Sequence, residues 1–199
     1  MSSKTKIRKE GFLIVLSAPS GCGKTTVVDR LLKRHSDWQR SVSVTTRKPR
    51  TGEKDGEDYI FVSPAGFETM KANGELLESA RVFDHEYGTP KKPVMAAIAK
   101  GKCVILAIDV QGAQCIRKGL DKGLVASIFI LPPSVKVLRE RLENRNTETP
   151  AQIDKRIEAA QEEIKAASLY EFTVLNQNIE QTVQDVEDRV RQFEDKRGK

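Results

Sequence analysis

The sequence predicts an α/β fold in which a parallel sheet is covered by helices on both faces. Three observations predict it. The apolar runs Phe12 to Leu16, Val104 to Ile108 and Val125 to Leu131 are strand-sized and continuous, as in strands buried on both sides. Stretches with helical periodicity alternate with them. A glycine-rich turn joins the first run to the first helical stretch.

After that turn, Val27, Val28, Leu31 and Leu32 recur at helical spacing, and Lys33-Arg34-His35 put positive charge at the C-terminal end of the helix. Residues 39–95 break the pattern. Short alternating pieces such as Asp58-Tyr59-Ile60-Phe61-Val62, many polar residues and several turn signals read as a small mixed, antiparallel subdomain inserted into the frame. Ser63-Pro64 opens a short helix there and Asn73-Gly74 closes it. Val104 to Asp109 resumes the α/β pattern, and Pro132-Pro133 stops the strand Val125 to Leu131. Ser134 caps a helix carrying Val135, Leu138 and Leu142 on one face. Thr149-Pro150-Ala151-Gln152 is a capping box with proline at the first helical position, followed by Ile153, Ile157, Ala160 and Ile164. Phe172 to Leu175 is a short strand, and Val183, Val186, Val190 and Phe193 mark a last helix.

A chain of 199 residues fills one domain, and 38% hydrophobic with 31% charged residues reads as soluble and globular. No apolar run approaches the ~18 residues of a membrane helix, and the basic stretch Met1 to Glu10 has no signal-type apolar core beside it. A formal charge of +6 suits a polyanionic partner. No basic stripe with interleaved aromatics accompanies it, which points to a small anion rather than nucleic acid. No obligate protein partner is evident. Cys22, Cys103 and Cys115 are odd in number and lack zinc-site spacing, so they read as reduced thiols of a cytoplasmic protein.

The sharpest motif is Ala18-Pro19-Ser20-Gly21-Cys22-Gly23-Lys24-Thr25, which fits the phosphate-loop pattern G-x-x-x-x-G-K-[ST] with alanine at the first glycine. Gly21 and Gly23 allow torsions that turn successive N–H groups toward a phosphate. The helix N-terminus adds partial positive charge. Lys24 supplies a movable cation and Thr25 a hydroxyl for Mg²⁺. The bland alternative is a glycine-rich turn with a chance lysine, but this motif follows a buried strand and opens a helix, as the chemistry requires. Asp109 ends the second strand, where acids in such folds face the ligand crevice and where aspartates also serve simply as turn residues. Arg47 and Arg50 lie three apart in a segment that Pro49 keeps non-helical, so two guanidinium forks can clasp one dianionic phosphate. Tyr59 and Tyr87 can donate hydroxyl hydrogen bonds to the same group.

The stretches Ser41 to Glu53, Gly56 to Tyr59, Leu77 to Ala80, Tyr87-Gly88-Thr89, Asp109-Val110-Gln111-Gly112 and Leu131 to Ser134 closely resemble, in this order, the signature segments of guanylate kinases. The resemblance runs from the phosphate loop to about Asn176. It implies a P-loop NTPase three-layer sandwich that moves the γ-phosphoryl group of ATP to GMP. The domain would be single, with a core over 10–38, 96–133 and 150–199, a GMP-binding insert over 39–95 and a lid over 134–149. By resemblance GMP is held by Ser43, Arg47, Arg50, Tyr59, Glu78, Tyr87, Thr89 and Asp109. Glu78 and Asp109 read the N1–H and N2–H₂ donors of guanine, and Ser43 serves O6. Adenine would turn a lone pair toward those carboxylates, which discriminates against it. ATP is held by Pro19, Ser20, Gly21, Cys22, Gly23, Lys24, Thr25 and Thr26, with Asn176 near the adenine, and Mg²⁺ by Thr25. Lys24, Arg47, Arg141, Arg145 and Arg156 meet the phosphates in transfer.

The pattern is departed from at Ala18, at Ala107, where the family usually carries a second acid, and at Gln177, where aspartate is common. Three other readings compete: a sugar-phosphate kinase on the same scaffold, a non-enzymatic module that binds phosphorylated partners, and a regulatory GTPase. The guanine-reading set argues against the first, Lys24 and Thr25 against the second, and the lack of an Asn-Lys-x-Asp motif against the third.

Overall fold

The computed structural model describes residues 10–82, 84–144 and 149–198. In chain order the elements are β1 (Leu13–Ser17), α1 (Lys24–Arg34), β2 (Trp38–Arg40), β3 (Ser43–Thr45), β4 (Tyr59–Phe61), α2 (Pro64–Ala72), β5 (Leu76–Val82), β6 (His85–Pro90), α3 (Lys91–Ala99), β7 (Cys103–Ala107), α4 (Val110–Gly119), β8 (Val125–Leu131), α5 (Val135–Glu143), α6 (Pro150–Lys165), β9 (Phe172–Leu175) and α7 (Ile179–Arg197). Five parallel strands form the central sheet in the order β2-β7-β1-β8-β9.

The period-two geometry of a strand explains the continuous apolar runs. Ile14 and Leu16 of β1 face a core shared with Val28 and Leu31 of α1, Leu138 of α5, Ile153 of α6 and Val186 of α7. Leu13 and Val15 face the opposite core, with Val94 and Ile98 of α3 and Ala113 and Ile116 of α4. Each such side chain contributes roughly 1.5–3 kcal/mol by leaving water. The expected caps are present: Ser63 accepts from Gly66, Ser134 from Val137, and Thr149 and Gln152 form the reciprocal box.

A second sheet, in the order β4-β3-β6-β5, is mixed: β3 and β4 are parallel, while β6 runs antiparallel to β3 and β5. It occupies less of the chain than the 39–95 expected for the insert. Gln39 and Arg40 pair with Val104 and Ile105 at the edge of the central sheet. Helix α3 returns to the central core through Val94 and Ile98. A three-residue edge strand of largely polar residues carries too little periodicity to be read from sequence.

Candidate active site

The turn between β1 and α1 leaves main-chain N–H groups open at the start of a helix. Gly21 and Gly23 have φ of 88° and 82°, a region costly for other residues. Cys22 N donates to Pro19 O at 3.0 Å and closes the turn. No side chain caps the start of α1, so its first N–H groups remain for an anion. Ala18 is 6% exposed, and its methyl joins the core beside Cys22. Burial pushes the Cys22 thiol up to about 11, so this cysteine is a packing residue rather than a nucleophile. Lys24 Nζ donates to Ile108 O at 2.9 Å, at the end of the neighbouring strand β7. Burial lowers the lysine from its ordinary range, and Asp109 and Glu163 oppose that by favouring its charge.

Two cavities meet over this turn. One, of about 520 Å³, is lined by the loop from Pro19 to Thr26, by Arg81 and Gln111, and by Glu162 and Glu163 of α6. The other, of about 320 Å³, is lined by Ser43, Arg47, Arg50, Tyr59, Glu78, Tyr87 and Arg156. Ser20, Lys24, Val82 and Asp109 belong to both walls. The two cavities therefore adjoin at the C-terminal ends of β1 and β7, where ligands bind in parallel α/β sheets.

In the second cavity Arg47 follows β3 and is gripped by Glu53. Its Nη1 donates to Glu53 Oε2 at 2.9 Å and to Lys48 O at 2.8 Å, and its Nη2 to Glu53 Oε1 at 2.8 Å. Three of the five guanidinium N–H groups are thereby used, leaving two for Tyr87 or a phosphate oxygen. The pair with Glu53, helped by Tyr87, holds Arg47 firmly charged. Arg47 in turn holds the Glu53 carboxyl below the usual range, with the Arg50 backbone contributing. The guanidinium lies 5.2 Å from the centre of the Tyr59 ring. This arrangement presents a fixed cation with two phenols at hand.

The far wall holds a buried carboxylate. Glu78 on β5 is 6% exposed and accepts from Thr89 Oγ1 at 2.6 Å. Burial pushes its carboxyl up to about 7, Thr89 opposes that, and the nearby Asp109 charge adds to it. The run Asp109-Val110-Gln111-Gly112 has a local logic. Asp109 caps α4 by accepting from Gly112 N at 3.0 Å through Oδ1. A Cβ at position 112 would collide with the Glu78 carboxylate, so glycine lets the two acids approach.

The sequence model of the guanylate kinase family matches residues 10–193. The chain belongs to the guanylate kinase family. It is 45% identical over 179 residues to the guanylate kinase of Clostridioides difficile (strain 630), covering 90% of this chain and 86% of that protein. It is 44% identical over 180 residues to the guanylate kinase of Wolbachia sp. subsp. Brugia malayi (strain TRS), covering 90% and 92%. Its fold matches the crystal structure of guanylate kinase from Anaplasma phagocytophilum with a TM-score of 0.78 and 37% identity, over 92% of this chain and 86% of that one. A gluconokinase from Sinorhizobium meliloti 1021, at 17% identity and a TM-score of 0.51 over 94% and 97%, shares the fold alone.

Within this guanylate kinase frame, some residues expected at the ligands stand behind the cavity walls. Thr89 is fully buried, and its hydroxyl is directed at Glu78. Asn176 is 4% exposed: Nδ2 donates to Cys22 O at 2.6 Å, and Oδ1 accepts from Thr182 Oγ1 at 3.1 Å. Its amide thus holds the phosphate loop through Cys22 O. Arg141 lines neither cavity, and its Nη2 donates to Asn176 O at 3.1 Å. Arg156 does reach the site, with Nη1 donating to Ser20 Oγ at 3.0 Å. Arg145 lies outside the described residues.

Sequence reasoning missed Glu53, Thr182 and Glu163. Glu53 is six residues from Arg47 in an irregular loop, where no periodicity links them. Glu163 lies seven residues after Arg156 on one helix, and that spacing was a readable signal. A further cavity of about 470 Å³, beside Val125, is rimmed by Arg117, Lys122, Lys196 and Arg197. Arg117, Lys196 and Arg197 lie in the last turns of α4 and α7, where they offset the helix dipoles.

Proposed function

We propose that the protein transfers the γ-phosphoryl group of ATP to GMP, giving ADP and GDP. The 520 Å³ cavity takes the phosphates of ATP and the 320 Å³ cavity takes GMP. The observation that carries this reading is the shared wall: Lys24 and Asp109 border both cavities, so donor and acceptor phosphates meet at Lys24.

Arg47, Arg50, Tyr59 and Tyr87 hold the GMP phosphate, while Glu78 and Asp109 accept from the guanine N1–H and N2–H₂ and Ser43 serves O6. The GMP phosphate, with a second pKa of about 6, is already largely dianionic near neutral pH and needs no general base. The obstacle is repulsion between two anions. Lys24 and Arg156 offset it from the core side and Arg47 from the insert. Thr25 opens α1 in the ATP cavity and offers one hard oxygen. Among the described residues no group of three or more His, Cys, Asp or Glu could hold a metal. That donor set fits Mg²⁺ carried in by the nucleotide phosphates, which keeps most of its waters. Bound there, Mg²⁺ would neutralise charge on the β and γ oxygens. Closure of the insert and of the 134–149 lid would keep water from the reaction.

Three free cysteines, two of them buried, suit a reducing compartment and support a cytoplasmic location. Among the described residues no helix is long and apolar enough to cross a membrane.

The test is ADP release from ATP-Mg with GMP, dGMP, AMP, CMP or UMP in turn. Turnover confined to GMP and dGMP is expected. Turnover with another monophosphate would remove the guanine assignment and keep the kinase. No turnover by folded protein would bring forward a phosphate-binding module.

A further inference from the structure

The phosphate loop has a neighbouring carboxylate, Glu163, that the proposed mechanism does not use. Helix α6 turns one face toward the loop, and Arg156 and Glu163 lie on it two helical turns apart. Arg156 reaches Ser20 Oγ, and Glu163 lines the ATP cavity together with Lys24 and Thr25. The Oε2 atom of Glu163 is buried and has no hydrogen-bond partner among the described residues. Burial raises its carboxyl, while Lys24 and the Ser20 backbone N–H favour its charged form. Lys24 for its part is balanced by two carboxylates, Asp109 and Glu163. A neighbouring acid on the same helix, Glu162, is bound to Lys165 at 2.7 Å.

A phosphate entering the loop would draw on the Lys24 charge, and it would share the cavity with Glu163, whose buried Oε2 has no hydrogen-bond partner among the described residues. Two anions competing for one cation in a partly buried site repel strongly. We infer that Glu163 is an affinity-setting positioning residue: an internal counter-anion for Lys24 at the Ser20 end of the loop, with which the phosphates of ATP and ADP must compete. The inference rests on the loop being the ATP site. Its consequence is that this carboxylate limits how tightly both nucleotides bind.

Glu163→Gln separates charge from shape. The amide keeps the length and one acceptor oxygen, removes the negative charge, and offers a donor that a phosphate oxygen can accept. Calorimetric titration is expected to show ATP and ADP binding about five- to tenfold tighter in this variant, the size set by one charge at a partly screened site. GMP affinity is expected to stay within twofold, which also reports an intact fold. Unchanged or weaker ATP binding with GMP binding preserved would overturn the inference, because a merely structural buttress can only lose affinity when altered. If Glu163→Gln loses GMP binding as well, Glu163→Asp decides: it withdraws the charge by one methylene, and tighter ATP binding supports the inference while any other result overturns it. A wild-type protein that binds no ATP would instead remove the ATP-site reading.

Discussion

The phosphate loop and the inserted sheet, each proposed to hold a phosphate, are built from different materials. The loop uses main chain: the positive φ of Gly21 and Gly23 and the uncapped N-terminus of α1, with Lys24 as its charged side chain. The insert uses side chains carried on or beside short strands: Arg47, Tyr59 and Tyr87, with Glu53 fixing the arginine. Backbone donors tolerate many side chains but depend on whatever holds the loop in shape. Side-chain donors depend on their own identity and on one alignment partner. Damage should therefore spread differently from each region.

Lys24→Ala should have the largest effect. It removes the cation where the two cavities meet, and kcat should fall by roughly 10³-fold or more. GMP binding measured without ATP should change little. Arg47→Ala should weaken GMP binding by about 100-fold, the loss of a charge-assisted clamp, and leave ATP binding within twofold. Calorimetry on each ligand separately checks both. Equal loss of both ligands in Arg47→Ala would mean that the insert and the core do not divide the substrates as proposed.

The same contrast governs what the sequence disclosed. The buried strands, the phosphate loop and every cap named from sequence follow from contiguous patterns, because periodicity and turn chemistry are local. Arg47 and Lys24 could be named as candidates for that reason. Thr89, Asn176 and Arg141 were named for the ligands, but they stand one layer back, on Glu78, Cys22 and each other. Sequence shows that a polar residue is present without showing which of two partners, ligand or protein, lies within 3 Å. Glu53 illustrates the converse. Its bidentate grip on Arg47 depends on the path of the loop through Gly52, whose φ is 88°, and no spacing rule encodes that path.

The insert also carries a buried carboxylate. Glu78 is buried with a carboxyl near 7, and its proposed task requires the charged form. Below that value it protonates and cannot accept from both guanine donors. The kcat/KM for GMP should therefore rise about tenfold between pH 6 and pH 8 and then level off. In Glu78→Gln it should be low, with this rise removed. The stability effect has the opposite sign. A carboxyl raised in the fold is best tolerated when protonated, so its contribution is full below the unfolded value and is lost as pH rises through about 7. Glu78→Gln should thus melt several degrees above wild type at pH 8, with the gain shrinking toward pH 5. A gain that does not vary with pH would mean that burial of the charge is not the cause.

The smallest functional effect, and the sharpest test of the contrast, is expected at Asn176. The loop depends on its support, and Asn176 supplies it through Cys22 O and Thr182. Asn176→Ala removes the donor to the Cys22 carbonyl, while Thr182 Oγ1 keeps Asn178 O at 2.7 Å, so the cost is about 1–3 kcal/mol. Tm should fall and the KM for ATP should rise only severalfold, with the KM for GMP unchanged. Asn176→Asp is the more telling change. It preserves the acceptor for Thr182 but turns a carboxylate oxygen toward the Cys22 carbonyl, replacing a 2.6 Å hydrogen bond with repulsion between two acceptors. It should therefore be less stable than the alanine variant despite its closer shape. Were Asn176 instead a direct contact to ATP, both variants would raise the KM for ATP and leave Tm where it was.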